Sequence, residues 1–362
     1  MKAALLALFS LLAGQPAPPP APPPAEAPLP LPAEAPLPLP TEPPPPAAGQ
    51  AGTPIEVVEP AHRVVRGTPA QGFVPWQVQF FTTLPISEDE LRKDRAKPPT
   101  DRSKRFFERM TRYEQDHLCG GVLIAPQWAL TAAHCLVAPN EAYSYALDDI
   151  RVRIGHNQLT QATVMRIERA IVHGDYRRAG TRQHDIALLH LVPEPGKTNL
   201  DMVAHSDPIR IETGPVPAAA TLMVTGWGQT GEIEAGQERD VRGQPMRSSL
   251  DLLEGRLRPV SARDCGRVAA YRRSLGPGAI CAVGGDARQQ DTCQGDSGGP
   301  LTMQGRLVGL VSWGVGCGRP GVPAIYTRVA HYAGWIRLVQ DQAPAGRISR
   351  CRVAAPGRLA CR

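Results

Sequence analysis

The chain has 362 residues, of which 42% are hydrophobic, and a formal charge of +6, so it can hold one large domain or two small ones. Basic residues are interleaved with acids and do not form a stripe with aromatics, which argues against nucleic-acid binding. No segment after the N-terminus reaches the run of about 18 apolar residues that a membrane span requires, so a soluble mature protein is expected. At the start, Lys2 precedes the apolar run Ala3 to Ala13, which is too short for a stable anchor and reads as a signal peptide over residues 1–15. A buried helix is the alternative, but the polyproline that follows offers it nothing to pack against. Residues 16–46 contain 17 of the 39 prolines, and the eight residues 25–32 recur unchanged at 33–40. Proline removes backbone donors and fixes φ, so this stretch cannot build a core. Polyproline II at about 3.1 Å per residue would make it a stiff spacer on the order of 100 Å long. Residues 16–63 are therefore read as a disordered propeptide or spacer.

From Val64 onward the pattern changes. Short runs rich in Val, Ile, Leu, Phe and Trp, such as Trp76 to Phe80, Gly121 to Ile124, Ile186 to Leu189, Leu222 to Val224 and Leu307 to Val311, are separated by Gly, Pro, Asn or Asp. That spacing predicts an all-β sandwich or barrel. Between Pro85 and Asp116 lies a charge-dense insert of alternating sign, expected to be an exposed loop or a short solvated helix. Tyr332, Trp335, Ile336 and Val339 recur at helical spacing and predict one helix near the end. The tail, residues 343–362, carries Arg347, Arg350, Arg352, Arg358 and Arg362 with no acid after Asp341. It is expected to be solvated, with contact to a polyanionic surface as the alternative. Eight cysteines downstream of an export signal, with no Cys-x-x-Cys pair, favour disulfides over a metal site.

Three segments hold the residue types that acyl transfer needs. Leu130 to Cys135 contains His134, an imidazole able to act as a base near neutral pH. His184 to Leu189 places Asp185 at the mouth of an apolar strand, where a carboxylate can orient that imidazole. Gly295 to Pro300 sets Ser297 in a glycine-rich turn that lets a substrate carbonyl approach backbone amides. Each alone has a bland explanation: a packed histidine, a surface aspartate, a turn serine. Their order His, Asp, Ser, with cysteines and Gly226-Trp227-Gly228 beside them, makes chance co-occurrence remote.

These motifs resemble the trypsin/chymotrypsin endopeptidase family. The resemblance runs from Val64 to about Gln342 and rests on Thr131-Ala132-Ala133-His134-Cys135, Asp185-Ile186-Ala187-Leu188, Thr225-Gly226-Trp227-Gly228, Gly295-Asp296-Ser297-Gly298-Gly299-Pro300 and Ser312-Trp313-Gly314. It implies an all-β fold of two six-stranded antiparallel barrels with a C-terminal helix, one protease domain over residues 64–342. It implies Ser297 as nucleophile, His134 as base and acid, Asp185 as the orienting carboxylate, and the amides of Gly295 and Ser297 as the oxyanion hole. Ser312 is expected to hydrogen-bond Asp185, and Ser312, Trp313 and Gly314 to pair with the substrate backbone as an added strand. Asp291, six residues before the serine, falls at the floor of the family's primary pocket, where a buried carboxylate favours arginine or lysine at the cleaved bond. A solvated loop aspartate is the alternative. Ala324 occupies a wall position where trypsin-like members usually have glycine, and its methyl narrows the slot.

The same resemblance implies bridges Cys119 to Cys135, Cys265 to Cys281 and Cys293 to Cys317, while Cys351 and Cys361 most simply pair with each other. Arg63-Val64-Val65-Arg66-Gly67 resembles the family's activation site, with Arg66 replacing a glycine. Cleavage after Arg63 would free the Val64 amine to pair with Asp296, so a latent zymogen is expected. The loop from Gly155 to Val164 carries no acid, which makes a calcium site there improbable, and neither metal nor cofactor is expected. Expected partners are protein or peptide substrates and, unless the chain activates itself at Arg63, an activating protease. The product is read as a monomer, secreted to the extracellular space or to the periplasm if bacterial. Two rivals stay open: a binding protein on a protease scaffold, and an enzyme permanently tethered by its N-terminal spacer.

Overall fold

Strands form here because apolar residues fall at every second position along short runs. In Leu253–Val260, residues Leu253, Gly255 and Leu257 point into the core while Glu254, Arg256 and Arg258 lie on the opposite face. The computed structural model describes residues 64, 67–98, 105–177, 181–198, 206–229, 249–285, 290–342 and 344–362. Chain contacts divide it into Met1–Val57 and Val58–Arg362. The signal peptide, the proline-rich spacer and Arg63 lie outside the described residues.

In chain order the strands are β1 (Thr68–Pro69), β2 (Gln77–Thr82), β3 (His117–Ala125), β4 (Trp128–Thr131), β5 (Ile150–Ile154), β6 (Thr163–His173), β7 (Ala187–Pro193), β8 (Leu222–Gly226), β9 (Leu253–Val260), β10 (Ala279–Gly284), β11 (Pro300–Met303), β12 (Arg306–Trp313), β13 (Ala324–Arg328), β14 (Ile348–Ala355) and β15 (Arg358–Cys361). The first barrel runs β6-β5-β2-β3-β4-β7 and closes where β7 pairs with β6. The second runs β9-β10-β13-β12-β11-β8 and closes where β8 pairs with β9, with β1 added at the edge. Both six-stranded rings are antiparallel, as expected, and closure leaves no open edge within either ring. Val78, Phe80, Val152, Ile154 and Leu189 fill the first interior, and Leu222, Val224, Leu257, Leu301 and Tyr326 the second.

The C-terminal helix, Ala333–Gln342, packs Trp335, Ile336 and Val339 against Val122, Ile171 and Leu188 on the outside of the first barrel. The tail that follows departs from expectation. It is a hairpin of β14 and β15, closed by Cys351–Cys361, and β14 adds to β6 in parallel register with Ile348 opposite Ala170 and Cys351 opposite His173. Cys351 is fully buried and its carbonyl accepts from the Trp335 indole at 2.8 Å. Arg347 forms a two-point pair with Asp148, and Arg350 donates to the Glu141 carbonyl. The arginines drew the sequence reading toward a solvated tail, whereas Ile348, Cys351 and Leu359 between them supply the apolar contacts that dock it.

The insert folds as helices Glu88–Ala96, Phe106–Arg109 and Arg112–Asp116. Ser87 with Glu90, and Thr111 with Glu114, form capping boxes that satisfy the first free amides of two of them. Glu88, Asp89 and Glu90 in the first turn and Lys93 and Arg95 in the last complement the helix dipole. The expectation of a wholly solvated segment fails at Asp94, Glu114 and Asp116, which are buried. Asp116 pairs with Arg153 at 2.8 Å, and the Arg153 guanidinium lies 3.6 Å from the Phe81 ring centroid.

Candidate active site

His134 sits in a short turn, Ala133–Cys135, tied to β3 by the Cys119–Cys135 bridge. Its Nδ1 lies 2.8 Å from Asp185 Oδ2, and its backbone amide donates to Asp185 Oδ1 at 2.9 Å. Because a carboxylate only accepts, Nδ1 carries the proton and Nε2 is left as the acceptor. Ser312 donates to Asp185 Oδ2 at 2.6 Å, and Thr327 donates to the Asp185 carbonyl at 2.7 Å, so strands β12 and β13 of the second barrel brace an acid at the edge of the first. Burial works against the Asp185 anion, but the His134 charge and the bonds from His134 and Ser312 outweigh it and hold its pKa below the usual range. Burial likewise works against the imidazolium, and Asp185 overrides it, raising the His134 pKa.

A feature invisible to motif reading aims this acid. His184, just before it, has φ +58, a left-handed conformation costly for a side chain with a Cβ, and Ile186 N–H bonds back to the His184 carbonyl at 2.8 Å. The His184 ring stacks on His173 with centroids 4.8 Å apart and meets Tyr332, which holds the turn.

Ser297 lines the same cleft as His134, a concavity of about 630 Å³ that also exposes Gln294, Ser312, Trp313, Gly314 and Ala324. The Ser297 carbonyl accepts from Gly120 N–H of β3 at 2.7 Å, so the nucleophile turn is fastened across the barrel boundary. Gly295 has φ +92, and a Cβ there would fall 2.6 Å from His117 Nε2. His117 and Gln79, neither singled out by the sequence, explain that crowding. Gln79 Nε2 lies 2.6 Å from His117 Nδ1, and His117 Nε2 lies 2.9 Å from the Gly295 carbonyl. The amide donates to Nδ1, so Nε2 carries the proton and donates to Gly295, and burial pushes the His117 pKa down to about 4, keeping the ring neutral. Gln79 in turn accepts from Arg153, the partner of Asp116, which links the insert to the turn beside the nucleophile.

Asp296 points away from the cleft. Its carboxylate fills the space that side chains at Gly226 and Gly228 would occupy and accepts from Gly228 and Cys293 amides at 2.9 Å each. Burial raises its pKa to about 7. Val64, fully buried in the second-barrel core, packs beside Val224 and Gly255, two residues along the strand pair from Gly226. Asp291 is 4% exposed and accepts from Gly318 and Thr292 amides at 2.8 Å each, and burial raises its pKa to about 6. It is not a solvated loop residue. Ala324 and Gly314 line the cleft, whereas Asp291 borders a separate depression of about 270 Å³ with Arg258 and Gly318. All four expected disulfides are formed: Cys119–Cys135, Cys265–Cys281, Cys293–Cys317 and Cys351–Cys361.

Two closed antiparallel barrels with a histidine, a buried aspartate and a serine gathered on one cleft between them define a chymotrypsin-like serine endopeptidase. The sequence model of the Trypsin family matches residues 96–336. Serine protease 1 of Rattus norvegicus is 34% identical over 226 residues, 61% of this chain and 79% of the relative. Trypsin I-P1 of Gallus gallus is 32% identical over 230 residues, 62% of this chain and 80% of the relative. Among solved structures, neuropsin, a serine protease expressed in the limbic system of mouse brain, superposes with a TM-score of 0.52 at 26% identity, covering 74% of this chain and 95% of that one. The chain belongs to the trypsin family.

Proposed function

We propose that the chain is the secreted zymogen of an endopeptidase that hydrolyses peptide bonds after arginine or lysine through an acyl-enzyme. The hydrogen bond between buried Asp185 and His134 Nδ1 carries this reading, because it leaves Nε2 free to take the Ser297 proton. Ser297 Oγ attacks the scissile carbonyl as His134 removes its proton, and the imidazolium, stabilised by Asp185, then protonates the leaving amine. Water repeats the sequence on the ester, returning the proton to Ser297. The amides of Gly295 and Ser297 would hold the developing oxyanion, a contribution worth about 10²- to 10³-fold per donor.

Two further buried acids support specificity and latency. Among the described residues Asp291 has only backbone donors, so a cationic side chain reaching it past Ala324 and Gly314 would supply the missing charge. Asp296 is in the same condition, and the amine released at Val64 by a cut after Arg63 would supply its partner and order the nucleophile turn. Release of the mature enzyme from the proline-rich spacer and export follow from the same reading. Treating the purified precursor with trypsin, sequencing the new N-terminus and profiling a peptide library tests it. Val64 at the new terminus and cleavage after arginine or lysine are expected, with Ser297→Ala inactive. A processed, oxidised sample that hydrolyses no amide and does not react with a serine-directed phosphonate would instead be a binding protein on a protease scaffold.

A further inference from the structure

The cleft has a cationic wall that the catalytic machinery does not use. The connection from β6 to β7 brings Arg177 and Arg182 into the cleft lining beside His134, and Arg319 lines it as well. The Arg182 guanidinium lies 4.6 Å from the Trp313 ring centroid, and its exposed end meets solvent. Arg177 is steadied by donation to the Pro139 carbonyl at 3.2 Å and the Tyr176 hydroxyl at 3.1 Å. Among the described residues, neither Arg177 nor Arg182 pairs with a carboxylate. The one acid that lines the cleft among those residues, Asp185, is buried and already bonded to His134 and Ser312.

We infer that the enzyme selects substrates carrying aspartate or glutamate two to four residues before the cleaved bond, held by Arg182 and Arg177. The inference rests on the endopeptidase reading above. A substrate strand laid along Ser312 to Gly314 puts the residues preceding the cleaved bond beside Trp313, the ring that Arg182 covers. Opposite charge there attracts, and a lysine or arginine at those positions meets repulsion from both guanidinium groups, which sharpens selection by exclusion. The same contact reaches the chemistry. Burial is the main opposition to a protonated His134, and the positive charges of Arg182 and Arg177 add to it. A substrate carboxylate resting on them relieves part of that opposition as the imidazole takes up the serine proton. In the precursor itself, Pro60, Ala61 and His62 precede Arg63, and the first acid upstream is Glu59, in the fifth position. The chain at Arg63 thus lacks the acidic residues that the inferred preference selects.

The test uses the processed enzyme and peptides with a single arginine at the cleaved bond, varied to neutral, acidic or basic residues at positions two to four before it and, separately, on the leaving-group side. The expected ratio of kcat/KM for acidic over neutral peptides is about 3- to 20-fold at low salt, shrinking toward one in molar salt. Arg182→Gln and Arg177→Gln each reduce the ratio, and Arg182→Glu reverses it in favour of basic peptides. Equal rates on acidic and neutral peptides, an acid preference confined to the leaving-group side, or a ratio unchanged in Arg182→Glu each overturn the inference while leaving the endopeptidase intact. Failure to cleave any arginine peptide removes the reading beneath it as well.

Discussion

Asp185, at the edge of the first barrel, and the pair Asp291 and Asp296 in the second are all buried aspartates, yet they stand in opposite electrostatic states. Asp185 has His134 and Ser312 as partners and titrates below the usual carboxylate range. Asp291 and Asp296 have only backbone amides among the described residues, and burial lifts them to about 6 and about 7. The pairing of Asp185 with His134 and Ser312 in the first region is complete in the continuous chain, while among the described residues neither acid of the second meets a cation. On the proposed reading, a substrate side chain would supply that cation to Asp291 and a new N-terminus would supply it to Asp296. The difference separates a base whose partners are already in place from two acids that burial leaves without a counter-charge among the described residues.

The largest expected effect tests the satisfied side. Asp185→Asn in the processed enzyme removes the acceptor that sets the His134 tautomer, so kcat should fall about 10⁴-fold, as loss of this acid does in serine proteases generally, with the melting temperature little changed. A fall under tenfold would show that Asp185 does not orient the base. On the unsatisfied side, Asp296→Asn should lower kcat/KM of the processed enzyme by about 10²- to 10³-fold through a disordered oxyanion site. It should also stabilise the unprocessed chain above pH 7, because an unpaired buried charge is removed. A destabilised precursor would mean that Asp296 is already paired. Asp291→Ser should cost on the order of 10²-fold on arginine peptides while sparing reaction with an uncharged phosphonate, which splits pocket from machinery.

The smallest effect is a pH slope. The folded pKa values of Asp291 and Asp296 lie above the ordinary aspartate value of 3.8, so the folded precursor binds protons that the unfolded chain has released. Their contribution is fully present below about pH 4 and is lost as pH rises through about 6 and 7, so precursor stability should decline from pH 5 to 8 by on the order of a few kcal/mol. Asp185, with its pKa depressed, acts the other way and loses its contribution only below about pH 4. Melting curves across this range should show a shallower decline after cleavage, when a cation joins Asp296. An identical slope before and after would break the comparison.

What could be read along the chain is what is local. Thr131 to Cys135, Asp185 to Leu188 and Gly295 to Pro300 keep each functional group with its own turn or strand mouth, so the motifs were legible. His117 and Gln79 were not, because one histidine two residues before a cysteine and one glutamine in a strand carry no signal until Gly295, 178 positions from His117, closes on them. Nor did the left-handed turn at His184 announce itself, since only its stacking on His173 and Tyr332 shows what holds it. In the tail and the insert, charge density concealed the few apolar or buried acidic residues that anchor them, Ile348, Cys351 and Leu359 in one case and Asp116 in the other.

The sequence by itself determined the chemistry available: period-two runs that must pair into barrels, an imidazole, a carboxylate and a hydroxyl in turns, and eight cysteines. Tertiary structure alone decided which acids are favoured as anions and which are pushed toward the neutral form, and which cations line the cleft. The reason is physical: ionisation and attraction depend on burial and on partners brought within about 3 Å across the barrel boundary, and neither is a property of neighbouring residues in the chain.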